Sequence, residues 1–295
     1  MRKFLVLIAI IFLAVNFSSF AHSGCGGYGG LGDDGLAAGL EFGIDGINEE
    51  DERAPYLTAM LSYGHSFLND SLDFYSELNY TFGFKKDDHS HGGSHDDAFP
   101  QTLYFNLMLG YNLRLGPDRE STLSFILQNE FDRFVIAPRS DGGNNITGIF
   151  TPAVNFNQEF NTGDLYAQIG LPITYVQDDK NADAEIGLNF TVGWNSLFGL
   201  ELEATLCTML APGDEAGLDD LELVIGYEVE PFHFSVEAAI PLSDFDHRGI
   251  DVTPRVEYGF GRFNFYMYCE FAGIGAKESE HSLCITPALG FKFTF

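Results

Sequence analysis

Strict alternation of apolar and polar residues is the feature that most limits what this chain can fold into. The final residues alternate without exception: apolar Leu289, Phe291, Phe293 and Phe295 are separated by Gly290, Lys292 and Thr294. In a strand, successive side chains point to opposite faces, so this period of two gives one apolar face and one polar face. The segment therefore predicts an amphipathic β-strand.

The same alternation recurs along the chain. The predicted strands lie near 35–46, 54–67, 71–85, 100–115, 121–136, 147–160, 164–177, 184–194, 198–210, 218–230, 232–243, 249–260, 263–275 and 281–295. Each is long enough to cross a bilayer at a tilt, which takes roughly 9 to 11 residues. Short links alternate with longer, more acidic ones, as in barrels with turns at one end and loops at the other. The pattern predicts an all-β, antiparallel up-and-down transmembrane barrel of 14 strands; 12 and 16 also fit.

One parity of these strands carries large apolar side chains. Examples are Leu103, Phe105, Leu107 and Leu109 in one segment and Leu188, Phe190, Val192 and Trp194 in another. Such a belt, repeated strand after strand, faces lipid around a membrane barrel. A soluble β-sandwich also alternates and is the competing fold. An export signal at the other end of the sequence favours the barrel.

Arg2 and Lys3 precede an apolar run from Phe4 to Val15, which Ser19-Phe20-Ala21 follows as a small-x-small cleavage site. The run is shorter than the roughly 20 residues of a spanning helix. We therefore predict a signal peptide over 1–21, cleaved near Ala21. A Gly-rich periplasmic lead-in over 22–34 and the barrel over 35–295 follow, which indicates an integral protein of the outer membrane in a Gram-negative-type envelope.

The last strand resembles the last strand of bacterial outer-membrane β-barrel proteins. That resemblance implies that Phe291, Phe293 and Phe295 form a signal for the barrel-assembly machinery. In length and strand count the chain is similar to monomeric fourteen-stranded general porins, which implies a monomer that contacts outer-membrane lipids and passes small solutes. The likeness is one of form, without a motif of any subfamily.

The polar parity, which would face the lumen, is strongly acidic. Its predicted lumen and selectivity residues are Glu41, Asp73, Glu77, Glu130, Glu159, Glu185, Glu201, Glu203, Glu222, Glu237, Glu257 and Glu270, with the cations Arg114, Arg255 and Lys292. Because so few cations cannot pair with so many carboxylates, a dry interior is excluded. A barrel of this size lies between packed small barrels and open porins. We expect a narrow, water-containing pore.

The formal net charge of −28 excludes nucleic acid as a partner and favours cations. An acidic tube concentrates cations and repels anions. The sequence thus predicts a porin-like channel for passive diffusion of ions or small hydrophilic solutes, with a preference for cations.

A histidine-rich segment over 87–97 is the one local cluster with metal-ligand chemistry. His89, His91 and His95 lie among aspartates in a predicted external loop. Imidazole and carboxylate ligands suit weak binding of zinc, nickel or copper, and no other cofactor is expected. This segment supports an alternative function: a non-conducting surface barrel whose acidic, His-rich loops bind metal or host ligands.

We expect no catalytic residues and no enzyme activity. His233, Ser235 and Glu237 share one face of one strand, a spacing that weakly resembles outer-membrane lipid A deacylases, in which they would be base, nucleophile and orienting group. By parity, however, these side chains point into the lumen, away from a lipid substrate.

Overall fold

The computed structural model describes residues 35–46, 54–68, 71–84, 101–116, 120–135, 146–177, 182–211, 216–243, 245–277 and 283–295. Within these ranges the chain forms fourteen antiparallel strands. They are β1 (Gly35–Asp45), β2 (Ala54–Phe67), β3 (Leu72–Gly83), β4 (Gln101–Leu115), β5 (Ser121–Val135), β6 (Ile146–Phe160), β7 (Gly163–Gly170 and Ile173–Gln177), β8 (Ala182–Ser196), β9 (Leu200–Ala211), β10 (Gly217–Val229), β11 (Phe232–Pro241), β12 (Ile250–Phe260), β13 (Phe263–Ile274) and β14 (Cys284–Thr294).

The sheet closes on itself. Each strand pairs with the next in sequence, and β1 pairs with β14 from Ala37 opposite Thr294 to Gly43 opposite Ala288. The Phe295 N–H donates to the Leu36 carbonyl at 2.9 Å and extends this seam. Closure satisfies the backbone groups that an open edge would expose. The fourteen-stranded barrel is confirmed, and the sandwich alternative is wrong.

Strand β7 is interrupted at Leu171 and Pro172, where the sequence predicts one continuous strand. Proline has no N–H to donate to the ladder. Its carbonyl accepts from the Gly187 N–H at 2.8 Å, and the Leu171 N–H donates to the Pro152 carbonyl at 2.9 Å. Both pieces of β7 pair with β6 and β8, so the wall stays continuous across the break.

The two ends of the barrel differ. The first residue of β1, the last of β14 and the short turns, such as Asn161–Thr162 and Gly261–Arg262, lie at one end, which we call the turn end. The longer connections lie at the other, the loop end. There a four-residue helix, α1 (Phe245–Arg248), is held because Arg248 donates to Asp219 at 2.8 Å and Asp220 at 2.7 Å. No described helix has the length and hydropathy needed to span a membrane.

The barrel is apolar outside and polar inside. Outward Leu109, Ile169 and Ile225 are 41%, 54% and 56% exposed. By contrast, the large side chains that are most fully buried are Glu77, Thr191, Thr205 and Cys207, all on the lumen side. Exposed aromatic residues form a belt at the turn end, including Phe67, Phe160, Phe198, Phe232, Phe260 and Phe295. Apolar side chains outside and polar side chains inside are the reverse of the distribution in a soluble protein. Together with the aromatic belt, this distribution is that of a barrel surrounded by lipid.

Candidate functional site: the lumen wall

The alternation places every predicted lumen residue on the inner face of the barrel. Glu41, for example, lies between outward Leu40 and Phe42, which are both about two-fifths exposed. Arg114 and Lys292 likewise alternate with exposed outward residues on β4 and β14. That the lumen as a whole is acidic stays a prediction. What the sequence did not show is how the carboxylates are held.

Glu41 is held by three tyrosines. Tyr56 and Tyr268 donate to its Oε1 at 3.3 and 3.0 Å, and Tyr266 donates to its Oε2 at 3.0 Å. The Tyr56 and Tyr268 hydroxyls lie 3.3 Å from each other. We call Glu41, Tyr56, Tyr266 and Tyr268 the seam cluster, because they connect β2 to β13 across the β1–β14 closure.

Glycines let the tyrosines lie flat against the wall. Gly43 is the register partner of Tyr56, and Gly290 that of Tyr266. A Cβ on either glycine would overlap the tyrosine ring. On the other side of the barrel, Tyr166 covers Gly193 in the same way and donates to Glu203. Each ring thus packs one face on backbone and brings its hydroxyl to a carboxylate.

Other lumen carboxylates also accept from neutral groups. Asp73 accepts from Ser66 at 2.6 Å and from the Asn112 amide. Glu77 accepts from Tyr75 at 3.0 Å and Asn79 at 2.8 Å. A carboxylate that receives several donors is held in position by them. That the lumen contains water stays a prediction.

Two more acidic positions show the same use of neutral donors. Gln128 donates to Glu130 on the same strand. Near the loop end, Thr286 donates to Asp45 at 2.9 Å. The pattern of charges in the sequence does not identify the tyrosine, serine, threonine and amide donors. The signal was present, however, since these residues share the polar parity with the acids.

Arg255 lies on the inner wall beside Glu257 and Tyr266. Its Nε lies 2.7 Å from Glu257 Oε1, and its guanidinium carbon lies 4.5 Å from the centre of the Tyr266 ring. Asn264 donates to the second oxygen of Glu257 at 2.6 Å. Charge pairing and a cation–π contact together fix this guanidinium against the wall. The structure thus brings Arg255 and Glu257 together as an ion pair.

A cavity of about 520 Å³ opens at the turn end of the lumen. His233 lies in it with Nε2 3.3 Å from Glu201 Oε2, and Glu228 and Glu257 flank His233 on the two neighbouring strands. Gly226 makes this meeting of His233 and Glu201 feasible, because a Cβ there would crowd both side chains. The cavity has a strongly acidic lining.

His233 and Ser235 face the lumen, as parity predicts. Among the described residues the Ser235 hydroxyl has no hydrogen-bond partner, so it does not donate to His233. Outward Phe232, Phe234 and Val236 alternate with them and are exposed toward lipid. The geometry of a hydroxyl activated by an adjacent base is therefore not assembled in this strand.

The described residues contain no group of three or more His, Cys, Asp or Glu side chains arranged to hold a metal ion. His89, His91 and His95 lie outside the described residues, so metal binding there stays a prediction. The proposed assembly signal lies on β14, where Phe291 and Phe295 are 39% and 56% exposed on the outer face.

A closed barrel with an apolar exterior, an aromatic belt and a polar lumen defines the class: a β-barrel of the outer-membrane type. No protein-family model matches the chain, and no curated protein sequence matches it. Similar solved structures are outer-membrane proteins at low identity.

One is the outer-membrane phospholipase of Salmonella typhi, at 12% identity and TM-score 0.43, covering 66% of this chain and 79% of that one. A second is a mutant porin of Rhodopseudomonas blastica, at 9% and 0.40, covering 88% and 99%. A third is the TodX monoaromatic hydrocarbon channel, at 10% and 0.46, covering 90% and 91%. These are similarities of fold alone.

Proposed function

We propose that this barrel is a narrow channel for passive diffusion across the outer membrane and that it prefers cations. The observation that carries the proposal is that lumen carboxylates are held by neutral donors. Glu41, Asp45 and Asp73 accept from hydroxyls and an amide, and none of the three forms an ion pair with a described basic side chain. These contacts fix the position of the carboxylates without cancelling their charge.

A fixed negative charge has a strong effect in a narrow lumen. Many lumen side chains are buried, among them Asn106, Gln128 and Thr253, so they occupy part of the space that the barrel wall encloses. In a low-dielectric tube, field lines are focused along the axis, which raises the local cation concentration and excludes anions. Passing solutes would therefore be small and neutral or positive.

The test is ion flux into vesicles that contain the refolded barrel. One set of vesicles encloses a K⁺-sensitive dye and a matched set encloses a Cl⁻-sensitive dye. The proposal expects K⁺ entry to be faster than Cl⁻ entry at equal gradients, and both to exceed the leak of protein-free vesicles. Equal rates would refute the cation preference, and leak-level rates from a folded barrel would refute the channel.

A pair of double variants separates lumen charge from total charge. E41Q/D45N removes two lumen carboxylates, whereas E49Q/E50Q removes two acids from the link between β1 and β2. Both change the net charge equally. The expected result is that only E41Q/D45N brings the K⁺ and Cl⁻ rates closer together.

A further inference from the structure

The seam cluster presents an unusual carboxylate to the lumen. An ionised carboxylate has about four acceptor sites, and phenol hydroxyls already occupy three of those on Glu41. Little capacity is left for Glu41 to replace water in the hydration shell of a small cation such as Na⁺ or Mg²⁺. Its negative charge, however, still attracts a cation that lies against the tyrosines around Glu41.

The neighbours of Glu41 are aromatic faces. The Tyr266 and Tyr268 rings are nearly parallel, with an interplanar angle of 9° and centroids 6.5 Å apart. Gly43 and Gly290 let Tyr56 and Tyr266 lie against the backbone. Aromatic faces attract weakly hydrated cations, guanidinium and quaternary ammonium groups in particular.

The protein's own guanidinium already occupies one such face. Arg255 lies over Tyr266 at 4.5 Å, with its charge compensated by Glu257. Tyr266 is accordingly buried, at 5% exposure, whereas Tyr56 and Tyr268 remain partly exposed. The wall thus holds the Arg255 guanidinium between the Tyr266 ring and the Glu257 carboxylate. The rings of Tyr56 and Tyr268 offer two further aromatic faces beside Glu41.

We propose that the seam cluster is the selectivity site of the channel and that it favours weakly hydrated cations bearing guanidinium or quaternary ammonium groups over strongly hydrated ones. This inference rests on the proposed function, because it concerns which cations pass. Glu41 supplies the charge, and the faces of Tyr56 and Tyr268 supply the preference for the weakly hydrated ion. The hydroxyls position Glu41 on the wall.

The experiment measures reversal potentials of the refolded barrel in a planar bilayer, with guanidinium chloride on one side and NaCl on the other. In the wild type, the permeability of guanidinium relative to Na⁺ should exceed the ratio of their mobilities in water. In Y268L the ratio should fall toward the mobility ratio. In Y268F, which keeps the ring and removes the hydroxyl, it should stay closer to the wild-type value.

Glu41 is tested against Asp45, a carboxylate on the same strand closer to the loop end. E41Q should reduce both the cation-over-anion ratio and the guanidinium preference, whereas D45N should leave the guanidinium-to-Na⁺ ratio at its wild-type value. Migration of each variant as a folded barrel on a gel, before and after heating, confirms the structure.

The outcomes separate the two proposals. A cation-preferring wild type with guanidinium permeability at or below the mobility ratio overturns the selectivity site and leaves the channel intact. Equal guanidinium ratios in E41Q and D45N, or in Y268L and wild type, also overturn it. A folded wild type without conductance overturns the channel and the selectivity site together.

Discussion

Single glycines set the geometry of the lumen wall. Gly193 lies beneath the Tyr166 ring, and any side chain there would push the ring away from Glu203. We predict that G193A destabilises the barrel by about 1–3 kcal/mol, the usual cost of overpacking. Urea-induced unfolding of the barrel in lipid vesicles measures this effect.

Gly217 provides the matched control. It also lies in a strand, but a Cβ at Gly217 meets no atom within 4 Å. G217A should therefore unfold at a urea concentration close to that of the wild type. If G193A were as stable as G217A, the tight contact of Tyr166 on the wall would be contradicted.

Two threonines show how polar residues stabilise the interior. The Thr191 and Thr205 hydroxyls lie 2.9 Å apart, and both residues are 1% exposed. T205V leaves the Thr191 hydroxyl without this partner, so we predict a loss of about 1–3 kcal/mol. In T191V/T205V both hydroxyls are gone, and the loss should be smaller than the sum of the two single losses. Additive losses in the same urea assay would show that the pair is not coupled.

At the scale of elements, β14 closes the barrel by pairing with β1 and carries a row of aromatic side chains on its outer face. Phe295 packs edge-on against Phe293 with ring centres 4.8 Å apart, and its N–H donates to the Leu36 carbonyl of β1. We predict that F295S lowers the amount of folded barrel in the outer membrane of expressing cells, because the resemblance to known barrels implies that this residue is an assembly signal.

Phe160 is a suitable control, since it is also exposed on the outer face at the turn end, at 53%. F160S should be assembled at nearly the wild-type level. Both variants should refold in detergent, where no assembly machinery acts. Equal yields of F295S and F160S in cells would count against a recognition role for Phe295.

At the scale of the whole molecule, much of the fold follows from period-two alternation. The predicted segments agree with the observed strands to within a few residues, for example 121–136 against Ser121–Val135 and 263–275 against Phe263–Ile274. Alternation also predicts which face of each strand lies toward the lumen, because one residue of shift would expose every apolar side chain to the lumen. The break at Pro172 was missed, although a proline inside a strand is a local signal.

The contacts within the lumen could not be predicted in this way. Tyr56 and Tyr268 meet although they are 212 residues apart, and Tyr268 and Glu41 are 227 apart. Such contacts depend on closure of β1 on β14 and on the register of that seam, neither of which alternation specifies. Parity tells which side chains face inward, but not which of them touch.

The central claim is that fixed carboxylates make the lumen conduct cations. The most direct measurement is the reversal potential of single wild-type channels in a planar bilayer under a KCl gradient. We predict discrete conductance steps and a reversal potential displaced toward the K⁺ equilibrium potential. Steps that reverse at zero or toward the Cl⁻ potential would contradict the account.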